Sequence, residues 1–149
     1  MDGGGKPRPE PEATVLISNR QDDPVDETGL SELAVRTLRA ENVSSFELSV
    51  SFVGLDEMED LHVRYLDEPG PTDVLSFPID EEAGDGVRIL GDVVICPSYA
   101  ARNNPDVGSE VRLLLVHGIL HLLGYDHEDE AERADMWSRQ ERYSGVAVS

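Results

Sequence analysis

Residues 109–127 read "SEVRLLLVHGILHLLGYDH", and the run from Ser109 to Gly124 is apolar nearly all round. A helix with that pattern has no face to turn to water, so it is expected to be the buried central helix of the domain. Ser109 is a residue type that caps helix starts, and Gly124 can take the left-handed conformation that ends one. Three of the chain's four histidines, His117, His121 and His127, fall in this stretch. Polar, titrating side chains are costly to bury without partners, so their presence here needs a chemical reason.

On a helix, positions four apart stack on one face, which brings His117 and His121 within reach of a single ion. The turn that Gly124 permits then delivers His127. The spacing His-x3-His-x5-His, with the glycine between, lets one helix and the bend after it offer three imidazoles to one metal. Three protein nitrogens and an open position distinguish a catalytic zinc from a closed structural one. A lone histidine on an apolar helix is more often a hydrogen-bonded core residue, but a triple at this spacing points to a metal. Zinc suits three imidazoles, and nickel, copper and iron accept the same ligand type. Asp126 could accept a hydrogen bond from a ligand's second ring nitrogen, or it could cap the following helix.

The metzincin proteases use a similar frame, H-E-x-x-H-x-x-G-x-x-H. Here the glutamate position is Gly118. Without that carboxylate no local general base serves peptide hydrolysis by their mechanism.

Outward from this helix, "ATVLISN" (13–19) and "FELSVSFVG" (46–54) read as strands, the second alternating apolar and polar positions. Between them, Leu30, Leu33, Ala34, Val35 and Leu38 form the apolar stripe of a helix over 26–40. Leu55, Met58, Leu61 and Tyr65 do the same over 55–66, with His62 expected at the surface beside the stripe. "TDVLSFP" and "VRILGDVVIC" are expected to pair as a hairpin across the acidic loop "IDEEAGDG". Strand alternation sets Val74 and Ser76 on one face and Leu75 and Phe77 on the other, with Ser76 a candidate substrate contact. Asp92 follows a glycine that can mark a bulge, and is either a turn acid or a residue aimed at the cleft. "PSYAARN" suggests a short helix, and residues 128–143 a closing helix resting on Ala131, Ala134, Trp137 and Tyr143. The fold class expected is α+β: a small mixed sheet of about four strands packed with about five helices, the metal site lying on the central buried helix.

Composition bounds the class. With 149 residues the chain is one domain, residues 13–149, behind a tail over 1–12 of glycine, proline and charge that is expected to be disordered. No apolar run approaches the ~18 residues of a membrane span, and the N-terminus lacks the apolar core of a signal peptide. A cytoplasmic protein is expected. The single cysteine, Cys96, fits a reducing compartment and excludes a cysteine-rich zinc motif. A net charge of −19 opposes long-range attraction to nucleic acid, which basic proteins achieve with clustered Lys and Arg.

"HGILHLLGYDH" (117–127), "PTDVLSFP" (71–78) and "LGDVVIC" (90–96) together resemble, in order, the sequence blocks of the YbeY family of bacterial metal-dependent endoribonucleases. The resemblance covers residues from about 55 to 143. It implies one zinc per chain on His117, His121 and His127, and action on single-stranded RNA. It also implies maturation of the 3′ end of small-subunit (16S) ribosomal RNA and ribosome quality control, with ribosome-associated proteins as partners and neither DNA nor membrane involved. The two strand blocks would line the cleft beside the metal. Many family members carry an arginine six residues before "TDVLSFP", where this chain has Leu66. Arg64 could take over its phosphate contact only on an extended backbone, because two positions on a helix point nearly opposite ways.

The chemistry expected is metal-assisted phosphodiester cleavage, with Asp92 and Asp126 the nearest sequence candidates for proton transfer. If a ribosomal particle presents the RNA, a strong basic field is less necessary, and binding to free RNA should be weak and salt-sensitive. Two other readings stay open on the residues alone: an assembly factor with a structural zinc, and a metallopeptidase that draws its base from elsewhere.

Overall fold

The computed structural model describes residues 12–83 and 86–146. Most of the tail expected over 1–12 lies outside them. Glu12 does not: its carbonyl accepts the Phe46 N–H at 2.8 Å.

The chain runs β1 (Ala13–Arg20), α1 (Glu27–Ala40), β2 (Phe46–Val53), α2 (Leu55–Leu66), β3 (Val74–Glu82), β4 (Arg88–Ile95), α3 (Pro97–Ala100), α4 (Val107–Leu122) and α5 (Glu130–Ser144). The α+β expectation holds. The sheet order is β1-β2-β4-β3, with β1, β2 and β4 parallel and β3 antiparallel to β4. The hairpin partners are those the sequence predicts, but β3 runs on through Glu82, into the acidic stretch read as loop. Asp80 makes this extension possible by taking a positive φ of 51° at the register shift between Pro78 and Glu81, where Arg88 pairs with it at 2.9 Å.

Alternation sorts the sheet's side chains onto two cores. Leu48, Val50, Phe52, Val93 and Ile95 face α1 and α4 in the larger one, to which α5 contributes Met136. Val53, Leu75, Val94 and Cys96 face α2 and its Met58 in the smaller one. Gly91 marks the bulge suspected in β4. Its φ is +134°, and a Cβ there would meet the Phe77 carbonyl at 2.2 Å, so only glycine lets the strands stay paired.

Helix α4 is buried on nearly every side, as its sequence requires: Val111, Leu114, Leu115, Val116, Ile119, Leu120 and Leu122 all lie in the core. Its cap is Asp106 rather than Ser109. The Asp106 carboxylate accepts the Ser109 N–H at 3.2 Å, which places Ser109 inside the first turn. At the other end, Gly124 (φ +98°) donates to the His121 carbonyl at 3.0 Å, and Tyr125 donates to the Leu120 carbonyl at 3.0 Å. These two bonds form a Schellman cap. They stop the helix and reverse the chain.

The closing helix rests on a different face from the one expected. Met136, Gln140 and Ser144 are its buried residues, Trp137 and Tyr143 are partly covered, and Ala131 and Ala134 are exposed. His62 also departs from expectation. Its side chain is only 14% exposed, and its Nδ1 lies 2.9 Å from the Gly70 carbonyl, bracing the loop between α2 and β3. Among the described residues no helix is long and apolar enough to cross a membrane.

Candidate metal centre

The end of α4 and the turn after it bring His117, His121 and His127 together. One ring nitrogen of each lies within 4.8 Å of the others. His117 and His121 come from successive turns of α4, with ring centroids 4.6 Å apart. The Schellman turn returns His127 to within 5.3 Å of His121 and 6.1 Å of His117, centroid to centroid. His127 is exposed while the other two are partly buried, so the group opens to solvent on the His127 side. The indole of Trp137 stands edge-on to His117 and His127 at 5.9 and 5.5 Å and walls one flank.

The neighbours of these rings suit a cation. His117 Nδ1 lies 2.7 Å from Gln140 Oε1, so Nδ1–H donates and Nε2 keeps its lone pair for a metal. Burial pushes the His117 pKa down and the charge of His127 pushes the same way, against the Gln140 bond and Asp73. His121 is likewise lowered, first by burial and then by His117 and His127, with Asp126 opposing. Both effects favour neutral imidazole, the form that binds a metal. Among the described residues no buried side-chain nitrogen or oxygen is left without a partner. A donor set of three imidazole nitrogens fits a borderline-soft ion such as zinc.

Gly118 explains why the metzincin glutamate has no counterpart. A Cβ there would lie 2.6 Å from Val93 Cγ1 and 3.2 Å from Ser76 Oγ, so α4 touches the sheet where the protease would need a long acidic side chain. Any side chain there would have to push Val93 aside.

The other residues singled out in the sequence fall in separate places. Ser76 lies under the centre, but its hydroxyl donates to the Gly118 carbonyl at 3.3 Å and pins β3 to α4. Asp126 neither bonds a histidine ring nor caps α5, whose cap is Asp129. It accepts the backbone N–H of His127 at 2.7 Å and so steadies the turn. Asp92 pairs with Ser49 and Phe77 on the α2 face of the sheet, sharing a cavity with Arg20 and Tyr65, across the sheet from the histidines. Arg64 is on helical backbone and exposed, and bonds Asp60 one turn earlier at 3.0 Å, so the extended conformation its phosphate role requires is absent. Gln140 is the residue the sequence reading passed over. Its signal was a polar side chain four positions after Met136 on a face that had to be buried.

A family model described as endoribonuclease YbeY matches residues 16–145, almost the whole described fold. The chain belongs to the YbeY family. Its relatives include the endoribonuclease YbeY of Thermobifida fusca, 50% identical over an aligned length of 138, with 85% of this chain and 89% of that one covered. That of Beutenbergia cavernae is 44% identical over an aligned length of 137, with 85% of this chain and 91% of that one covered. A solution structure of a Thermotoga maritima protein superposes with a TM-score of 0.61 at 28% identity, covering 88% of this chain and 87% of that one. The YbeY match thus extends well upstream of the three blocks that first suggested it, through α1 and most of β1.

Proposed function

We propose that this YbeY-family chain is a zinc-dependent endoribonuclease of single-stranded RNA, a hydrolase of phosphodiester bonds working as one domain from residue 13 onward. The observation that carries the reading is the convergence of His117, His121 and His127, with ring nitrogens within 4.8 Å of one another and an open side at His127. The family name supplies RNA as the substrate class.

In this reading His117, His121 and His127 hold one zinc ion. Bound there, zinc supplies positive charge that polarises a phosphodiester and acidifies water. Gln140 fixes the His117 tautomer, and the Schellman turn aims His127. Trp137 shields one flank from water. Asp126, exposed beside His127, is the nearer of the two sequence candidates for moving a proton, because Asp92 is separated from the histidines by the sheet. Ser76 contributes by fixing the spacing of β3 and α4. Leu66 stands at the family's arginine position and Arg64 is paired to Asp60, so neither supplies the phosphate contact that such an arginine would make.

The biological setting we infer is cytoplasmic: maturation of the 3′ end of 16S ribosomal RNA and ribosome quality control, with ribosome-associated proteins as partners. The charge of −19 supports a substrate presented on a particle over one captured from solution. The test is cleavage of a single-stranded RNA spanning a 16S 3′ end, against its duplex, with zinc and with chelator. The reading expects cuts in the single strand alone, abolished by chelator and by His121→Ala. Equal cutting with chelator, or by the variant, would overturn it.

A further inference from the structure

Away from the histidines, a second polar assembly joins three elements. Glu41 closes α1 at its C-terminal end, and its side chain is only 6% exposed. The carboxylate accepts Tyr125 Oη–H at 2.5 Å, Arg139 Nη1–H at 2.7 Å, and the hydroxyl of Tyr143. The Arg139 guanidinium also stands over the Tyr125 ring, 5.0 Å from its centroid. These partners lie 84, 98 and 102 residues from Glu41 in sequence.

Their positions relative to the metal ligands carry the argument. Tyr125 sits in the turn between Gly124 and His127, and the residue between it and His127, Asp126, accepts the His127 N–H. Arg139 precedes Gln140, which orients His117, and Tyr143 is one turn further along the same helix. One buried carboxylate therefore grips both the turn that delivers His127 and the helix that delivers Gln140. A buried ion needs every lone pair satisfied, and here the donors that satisfy it belong to the two segments whose spacing sets the centre.

We propose that Glu41 is a positioning residue for the histidine centre, acting through Tyr125 and Arg139 without touching the metal. The proposal rests on the metal reading given above. Groups that orient metal ligands typically change affinity by about 10–100-fold, and one shell further out the effect is expected near the lower end, about tenfold.

The test is titration of the full chain with cobalt(II), followed by its visible absorption bands, which report both affinity and coordination geometry. Tyr125→Phe deletes a single hydroxyl, Glu41→Gln removes the charge, and Val15→Ala on β1 serves as a control of reduced stability remote from the clamp. We expect about tenfold weaker cobalt binding and altered bands in Tyr125→Phe and Glu41→Gln, wild-type behaviour in Val15→Ala, and a double variant weakened by less than the product of the two single effects. Wild-type affinity and bands in folded Tyr125→Phe would overturn the proposal, even with a lowered Tm, because the clamp would then serve stability alone. That variant decides the matter if Glu41→Gln does not fold. Failure of the wild type to bind cobalt would instead defeat the metal reading, and the proposal with it.

Discussion

Gln140 and Gly118 show how single residues set the chemistry of this centre. The Gln140 amide oxygen holds His117 by one bond of 2.7 Å. Gln140→Leu keeps the volume and loses the bond, so metal affinity should fall about 10–100-fold in a chelator competition, while Gln140→Glu should retain most of it. Gly118 acts through absence. Gly118→Ala puts a methyl 2.6 Å from Val93 and should cost about 1–3 kcal/mol in urea denaturation, through overpacking at the helix–sheet contact. The histidines themselves were legible from spacing and Gly124. Gln140 was not, because a sequence shows that a side chain is polar but not which buried group it will meet. Asp126 misled for the same reason: its position beside His127 was clear, but its choice of the backbone N–H depends on turn geometry.

At the scale of elements, each strand and helix among the described residues falls where the sequence places one, by apolar stripe or alternation where one face is buried and by composition elsewhere. α4 was the clearest, being apolar all round. α5 was the least clear. Two of its three buried residues, Gln140 and Ser144, are polar and are held by hydrogen bonds to His117 and within the helix end, so a hydrophobic stripe could not reveal them. The helix starts show a similar limit: Ser109 and Asp106 are both capping types, and the turn before α4 selects the second. Asp106→Ala should therefore lower the denaturant midpoint of unfolding, and Ser109→Ala should lower it by less, since Asp106 still has the Ser109 backbone N–H to accept.

For the whole molecule, the two histidines of α4 and the buried Glu41 both shape the response to pH. His117 and His121 have pKa values pushed below the ordinary 6.5 by burial, so the unfolded chain protonates first as pH falls. Stability of the metal-free protein is complete above about pH 6.5 and declines below it until the folded pKa values are reached. Glu41 adds a second, more acidic window. Burial raises its pKa, but bonds from Tyr125, Tyr143 and Arg139 outweigh that and leave it below the ordinary 4.5, so its contribution is lost only as pH falls beneath that value. A Tm profile of metal-free protein should fall in two stages, the first absent in a variant with both His117 and His121 replaced by phenylalanine. The acidic surface belongs to this scale too. A charge of −19 was legible as solubility and as an argument against a coat of nucleic acid, but composition could not identify RNA, which came from the family blocks.

The decisive question is whether the three histidines hold a metal on a fold that survives without it. The measurement that meets it most directly is the zinc content, by plasma mass spectrometry, of untagged wild-type protein beside His121→Ala, with circular dichroism on both. One zinc per wild-type chain, and none in a variant with an unchanged spectrum, is the predicted result. A folded wild type that carries no metal and takes up none on dialysis against zinc would contradict the account.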